Sequence, residues 1–314
     1  MRRLLSICIP TYNGGESLIY NIENLIKLSL RYNLEICVSD NASTDRTEVY
    51  MKCISKKYDF IKYHRNRENK GIAYNFDNAL RMSTSKYCWL LGDDDIIIEE
   101  NIKVLLDLLK NGSYDFIVVN AKNKNYEKFK LENISTNVYK DKNLVLSDLG
   151  RYMSWMSSLI YLRTLVDIIN IREIKNNAFP HLVAILKYLN YKCDLYWLNI
   201  ELITKQDIQQ VRYSNNVLNY FIKDWYYIPI LAGDNYKEKS KDLFYRKIGD
   251  VFSIKAIMGY RRKNILTIKS LIKLKNELIH FPIAIGCKLI LTSLFPTNLF
   301  KFIYYIYKGR KNEK

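Results

Sequence analysis

Tyr87-Cys88-Trp89-Leu90-Leu91-Gly92-Asp93-Asp94-Asp95 (YCWLLGDDD, residues 87–95) runs five apolar residues into a glycine and three consecutive acids. A short apolar run that stops at glycine and turns polar reads as a buried strand followed by a turn. Like charges within a few ångströms disfavour joint ionisation, so three aspartates in one turn are costly unless a cation offsets them. No His or Cys adjoins them, and an oxygen-only donor set points to Mg2+ or Mn2+, whose usual partners are phosphates. In isolation the triplet would better fit a solvated turn that caps a helix.

The same strand-and-polar-turn pattern occurs upstream. Leu4–Pro10 (LLSICIP) ends at Thr11-Tyr12-Asn13-Gly14-Gly15, and Leu34–Ser39 (LEICVS) ends at Asp40-Asn41-Ala42-Ser43. Between them Leu18, Ile22, Leu25, Ile26 and Ser29 recur at helical spacing over Glu16–Tyr32. Thr44 or Asp45 is a plausible N-cap for a helix through Tyr58. A third extended run, Phe60–His64, precedes Asn69-Lys70-Gly71 and a helix through Arg81. After the acids, Glu99 and Glu100 open a helix that closes at Asn111-Gly112, before a strand over Asp115–Val119. This alternation predicts an α/β fold, a mostly parallel sheet covered by helices. Strand carboxyl ends converge on one edge of such a sheet, so the three polar clusters are expected to share one crevice.

Beyond residue 120 the pattern loosens. Residues 121–150 are polar and read as loop with short strands, and a helix is expected from Phe179-Pro180 to about residue 191. Residues 214–275 look helical, giving an expected division into a catalytic domain, 1–210, and a helical basic region, 211–314. The charge is uneven. From Lys237 onward there are 18 Lys or Arg against five acids, so +13 of the net +17 lies there. That tail also carries apolar blocks, FPIAIGCKLILTSLF (281–295) and TNLFKFIYYIY (297–307). A basic, aromatic, Pro-broken segment of this kind suits an anionic membrane surface, with a packed helical domain or a homo-oligomer interface as the alternative. No apolar run reaches the roughly 18–20 residues of a membrane span. Nothing at the start reads as a signal peptide, and the six cysteines lack metal-ligand spacing. Buried free thiols and a cytoplasmic protein, peripheral at the inner face of the membrane, are the expectation.

Four motifs in combination, SICIPTYNGGESL, EICVSDNASTDRT, NKGIAYNFDNAL and YCWLLGDDDII, resemble glycosyltransferase family 2, of GT-A fold, over about residues 4–120. The LLGDDD form looks like the branch of abequosyltransferase-type enzymes of bacterial surface polysaccharide assembly. The resemblance implies a metal-dependent, inverting transfer from a nucleotide-diphosphate sugar to a saccharide acceptor; a membrane-bound basic tail would place the site beside a lipid-linked one. It implies that Thr11, Tyr12 and Asn13 line the nucleotide pocket, with Tyr12 stacking near the base, and that Asp40 bonds the base edge. Lys70, or a residue close by, would approach the diphosphate or the base region. Asp94 would ligate Mn2+ or Mg2+, with Asp95 beside it contacting sugar or supporting the metal. The common family pattern has an Asp where this chain has Gly92, so ribose recognition would pass to Asp93 or to backbone.

The family's acceptor base is an acid at the start of a downstream helix. The matching stretch, Asn177-Ala178-Phe179-Pro180-His181-Leu182, has no acid, which leaves His181 as the candidate base, with Asp167 and Glu173 behind it. Trp155 falls where an acceptor-facing loop is expected and would stack on a sugar; a Trp in an aliphatic run also fits a core. Of the rival classes, a nucleotidyltransferase would present a Gly-rich basic loop after the first strand, which PTYNGGESL lacks. A nucleic-acid binder would carry its basic residues beside the site rather than in a tail, so no nucleic-acid partner is expected.

Overall fold

Leu5–Thr11 (β1) is buried along its whole length, as is Glu35–Asp40 (β2). Continuous burial is what a central parallel strand requires, since helices cover both faces. The computed structural model describes residues 3–122, 134–206 and 216–312. The chain divides into two compact units, Met1–Gln209 and Gln210–Lys314.

In the first unit β1 and β2 alternate with Gly15–Tyr32 (α1) and Thr47–Lys57 (α2), then Ile61–Arg65 (β3), Ile72–Arg81 (α3) and Tyr87–Leu90 (β4). Asp95–Ile97 (β5), Glu99–Asn111 (α4), Phe116–Lys122 (β6), Asn137–Tyr139 (β7), Leu159–Leu162 (β8) and Leu195–Lys205 (β9) follow. The strands form one sheet in the order β3-β2-β1-β4-β8-β6-β9-β5, with β7 also on β9. β3, β2, β1 and β4 are parallel neighbours, and β6 is parallel to β9. β8 enters antiparallel between β4 and β6, while β5 and β7 run against β9. The expected mostly parallel sheet is therefore present in the direction of six described strands. Its antiparallel members were outside the reading.

Leu18, Ile22, Leu25, Ile26 and Ser29 are all on the buried side of α1, as their spacing predicts. The α2 expectation needs correcting. The helix begins at Thr47 behind Arg46, and neither Thr44 nor Asp45 is its N-cap. Asp45 still accepts the Thr47 N–H at 3.0 Å, so its carboxylate supports the first turn from outside. Register carries the site: Thr11 lies opposite Asp40, and Asp40 opposite Arg65. Cys8 pairs with Leu90, so the acidic turn after β4 rises beside the end of β1.

The second unit is helical, but the helices up to Leu278 are short, with breaks such as Gly233 (φ 106°) and Asn264 (φ 58°) interrupting the stretch read as helical. Its core includes Trp225 stacked on Phe244 at 4.3 Å between ring centroids. Among the described residues no single helix is long and apolar enough to cross a membrane. Ile283–Leu294 and Thr297–Tyr305 reach that length and composition only as a pair, bent by 93° at the break.

Candidate active site

Three loops meet at the carboxyl edge of the sheet. The Thr11 hydroxyl donates to Asp93 Oδ2 at 2.6 Å, joining the β1 turn to the acidic turn. Asn41 N–H donates to the Thr11 carbonyl at 2.9 Å, and the Asn75 side chain does so at 3.1 Å from α3. Asn13 takes a left-handed conformation (φ 55°), which Asn tolerates better than most residues. There its N–H reaches Ser43 Oγ at 2.8 Å, and its Oδ1 accepts the Thr44 N–H at 2.7 Å. Gly14 is required by close approach: a Cβ there would lie 2.4 Å from Thr11 Oγ1 and 3.0 Å from Asp93 Oδ2. The expected convergence of the clusters is thus met by direct bonds.

The acidic turn is held from every side. Asn21 on α1 donates to the Gly92 carbonyl at 3.1 Å. Gly92 N–H donates to Ser157 Oγ at 2.8 Å, and that hydroxyl donates to Asp95 Oδ2 at 2.5 Å. Trp155 Nε1–H reaches the same Asp95 oxygen at 2.7 Å. From β9, Lys205 lies opposite Asp95, and Gln206 N–H donates to the Asp94 carbonyl at 3.2 Å. Burial, followed by the charge of Asp94, pushes the Asp95 carboxyl up to about 6 against the opposing pull of Ser157, Lys205 and Trp155. Asp95 Oδ1 is buried with no hydrogen-bond partner. Asp94 is half-exposed.

These residues fit a divalent cation of a particular kind. Among the described residues no group of three or more His, Cys, Asp or Glu could hold one alone. Mg2+ and Mn2+ sites that serve phosphates need only one or two carboxylates, the remaining ligands coming from phosphate and water. A half-exposed Asp94 beside a buried, orphaned Asp95 oxygen meets that demand. Gly92 explains the departure from the common motif. A Cβ at this position would meet Asp95 Oδ2 at 2.7 Å and Asp94 Oδ1 at 3.2 Å, so a side chain at 92 is incompatible with this packing.

Other expected residues divide. Tyr12 is 46% exposed at the end of β1 and leaves its ring available to a ligand. Lys70 is exposed with its ammonium 4.6 Å from the Tyr74 ring, while its N–H is fixed by Asn41 Oδ1 at 3.0 Å. Asp40 has no exposed surface; its oxygens accept from Ser43 N–H at 2.8 Å and Tyr63 OH at 2.7 Å, with Arg65 Nε 3.7 Å from Oδ2, and these bonds tie the β2 turn together. Trp155 is brought to the acidic turn, half-exposed, but its N–H is committed to Asp95 and Lys205 sits 5.8 Å from its ring centre.

His181, the candidate base, is 2% exposed, packed 5.5 Å from the Phe76 ring, with Nε2 3.2 Å from the Met153 carbonyl. Burial depresses its pKa to about 4, against the pull of the Met153 and Ser154 backbone, and leaves the ring almost no surface to offer an acceptor. Asp167 is tied to Arg81 and Arg163, and Glu173 accepts from Asn170. The sequence points to Ser157 only as a neighbour of Trp155 in the acceptor-facing loop, gives Asn41 no role, and does not single out Asn21 or Gln206. Asn21 had a signal, a polar residue inside the apolar stripe of α1; Gln206 had none.

A sheet edge at which three polar turns converge on paired carboxylates, under a half-open acid and an exposed tyrosine, defines a site of the nucleotide-diphosphate-binding α/β class. Residues 6–167 match the model of glycosyl transferase family 2, and the chain belongs to that family. The chain is 30% identical over 220 residues to abequosyltransferase RfbV of Salmonella typhimurium, covering 64% of this chain and 66% of that protein. It thus spans just under two thirds of that relative. In fold it is similar to S. aureus TarS in complex with UDP-GlcNAc, with a TM-score of 0.57, 15% identity, and 98% and 92% of the two chains covered. It is also similar to the mannosyltransferase PcManGT of Pyrobaculum calidifontis in complex with GDP-Man and Mn2+, with a TM-score of 0.51, 13% identity, and 94% and 88% covered.

Proposed function

We propose that this chain transfers a sugar, with inversion, from a nucleotide-diphosphate donor to the hydroxyl of a saccharide acceptor in bacterial surface polysaccharide assembly. The observation that carries the reading is the Thr11–Asp93 hydrogen bond, which makes one site of the β1 turn and the acidic turn. Tyr12 is exposed beside that junction and would stack on the base, with Thr11 and Asn13 shaping the pocket wall behind it. Asp94 would hold Mn2+ or Mg2+ with the donor's diphosphate, the Asp95 Oδ1 lending a second oxygen. Such an ion would stabilise negative charge on the departing diphosphate as the sugar–phosphate bond breaks. Asp93, engaged by Thr11 and 9% exposed, is the carboxylate closest to where the family pattern has its ribose contact. Lys70 is free to swing its ammonium from Tyr74 toward phosphate. The half-exposed Trp155 would meet the transferred sugar or the acceptor over the acidic turn.

The acceptor is proposed to be lipid-linked and the protein peripheral at the inner membrane face. Ile283, Ile290, Leu291, Leu294, Phe295 and Phe302 are each at least half exposed in the second unit, with Lys288 and Lys301 exposed among them. Between Ile254–Arg262 and the last helix lies a groove of about 530 Å³, lined by Met258, Phe300 and Ile303 with Lys255 and Arg262 present. Apolar contact with cationic residues alongside matches an anionic bilayer surface.

The experiment is a turnover screen of nucleotide sugars with Mn2+ or Mg2+, run with and without vesicles carrying anionic phospholipid. Release of nucleoside diphosphate from one donor, lost on chelation, supports the reading. Release of pyrophosphate from a nucleoside triphosphate and a sugar 1-phosphate would replace it with a nucleotidyltransferase. Absence of partitioning onto anionic vesicles would remove the membrane element, and equal partitioning onto anionic and neutral ones would remove its electrostatic part.

A further inference from the structure

We infer that His181 is a positioning residue, holding the segment that aims Asp95. Residues 152–158 consist of two single 3-10 turns, Tyr152–Ser154 and Met156–Ser158, without a sheet or long helix to fix them. Such a segment takes its position from side-chain anchors. Tyr152 OH donates to the Val119 carbonyl of β6 at 2.9 Å, and Trp89 Nε1–H of β4 donates to the Ser157 carbonyl at 2.7 Å. His181 is the anchor on the remaining side. A carbonyl only accepts, so the 3.2 Å contact with Met153 requires the proton on His181 Nε2. Nδ1 is then the bare nitrogen, buried without a partner, which only a neutral ring tolerates.

What the segment carries on its other side makes the anchor matter. Trp155 and Ser157, two and four residues after Met153, supply both hydrogen bonds to Asp95 Oδ2, and Ser157 also receives the Gly92 N–H. The imidazole therefore reaches the acidic turn through one peptide carbonyl and two donors, without touching a ligand. This role deepens the transferase reading, because Asp95 is the acid beside the proposed metal ligand. It also explains why a histidine at a helix start, where the family keeps its base, is buried against Phe76.

The test uses the full chain with His181→Leu, His181→Gln, Ser157→Ala and the double variant Ser157→Ala/His181→Leu, each checked for a cooperative melt. Gln can place an amide N–H near the Nε2 position; Leu cannot. The first readout needs no substrate. Trp89, Trp197 and Trp225 are fully buried, so acrylamide quenching of tryptophan emission reports mainly on the half-exposed Trp155. Quenching should rise in His181→Leu and return to the wild-type value in His181→Gln. The second readout is turnover of the donor found in the screen. His181→Leu should lose about tenfold in kcat/KM for the donor, the equivalent of one hydrogen bond, with the loss falling on the Mn2+-dependent part. His181→Gln should recover most of it, and His181→Leu should add little once Ser157 is alanine, because both act through one carboxylate. Unchanged quenching in His181→Leu, a Gln variant as impaired as Leu, or fully additive losses would each overturn the inference. If the wild type turns over no nucleotide sugar, the transferase reading fails on its own and quenching alone decides the role of His181.

Discussion

Replacing Gly92 by alanine inserts one methyl group at the centre of the acidic turn. The backbone of Gly92 is outside the left-handed region, so alanine meets no conformational penalty and the effect is steric. The new Cβ would start 2.7 Å from Asp95 Oδ2, 3.3 Å from its Cγ and 3.2 Å from Asp94 Oδ1. The Asp95 oxygen cannot simply swing away, because Ser157 and Trp155 hold it at 2.5 and 2.7 Å. Overpacking a fixed neighbour costs about 1–3 kcal/mol. Over a unit of this size that corresponds to a fall in Tm of roughly 2–12 °C. Asp94 and Asp95 should separate from their present geometry, so the Mn2+-dependent part of nucleotide-sugar binding should fall more than the metal-free part. Thermal shift of the variant, with and without Mn2+ and donor, reads both numbers. A variant that melts with the wild type and keeps the full Mn2+ increment would refute the packing described for this turn.

Three further outcomes are expected. Ala42 has φ 64°, a left-handed conformation costing a non-glycine residue about 1–2 kcal/mol, so Ala42→Gly should raise the urea midpoint despite the glycine's greater chain entropy. Glu35 is 1% exposed; burial tends to raise its pKa, but hydrogen bonds from Lys62, Ser6 and Thr84 hold it at about 2. Its contribution, about 3 kcal/mol, is complete above its ordinary value of 4.5 and is lost as pH falls through 2; Glu35→Gln should flatten unfolding free energy across that window. Buried neutral His181, near 4 against an ordinary 6.5, adds a separate loss between pH 6.5 and 4, which urea titrations of His181→Gln should lack.

The sheet edge was legible because its signals are local. A buried parallel strand is a continuous apolar run, and the turn that follows is polar; β1, β2 and β4 show both within about ten residues each. The helical stripe of α1 is equally local. What escaped notice depends on partners far along the chain. Asp40 at a strand end reads as a ligand contact, and its bond from Tyr63, on the neighbouring strand, gives no local sign. His181 at a helix start reads as a base, and its contact with the Met153 carbonyl, 28 residues earlier, gives none either. β8 enters antiparallel between β4 and β6 after a stretch with little periodicity, and with it come Trp155 and Ser157. Single 3-10 turns have no period to detect, so Trp155 stood out as an aromatic in a loop but its bond to Asp95, and that of Ser157, did not.

The central claim, that the acidic turn binds a dication against a donor's diphosphate, is tested most directly by calorimetric titration of the nucleotide sugar into wild type and Asp94→Asn, each with and without Mn2+. Asn keeps the shape of the half-exposed side chain and removes its charge, leaving the Gln206 contact to the backbone in place. The account predicts Mn2+-dependent affinity in the wild type and only the metal-independent remainder in the variant. Equal Mn2+-dependent affinity in both would contradict it.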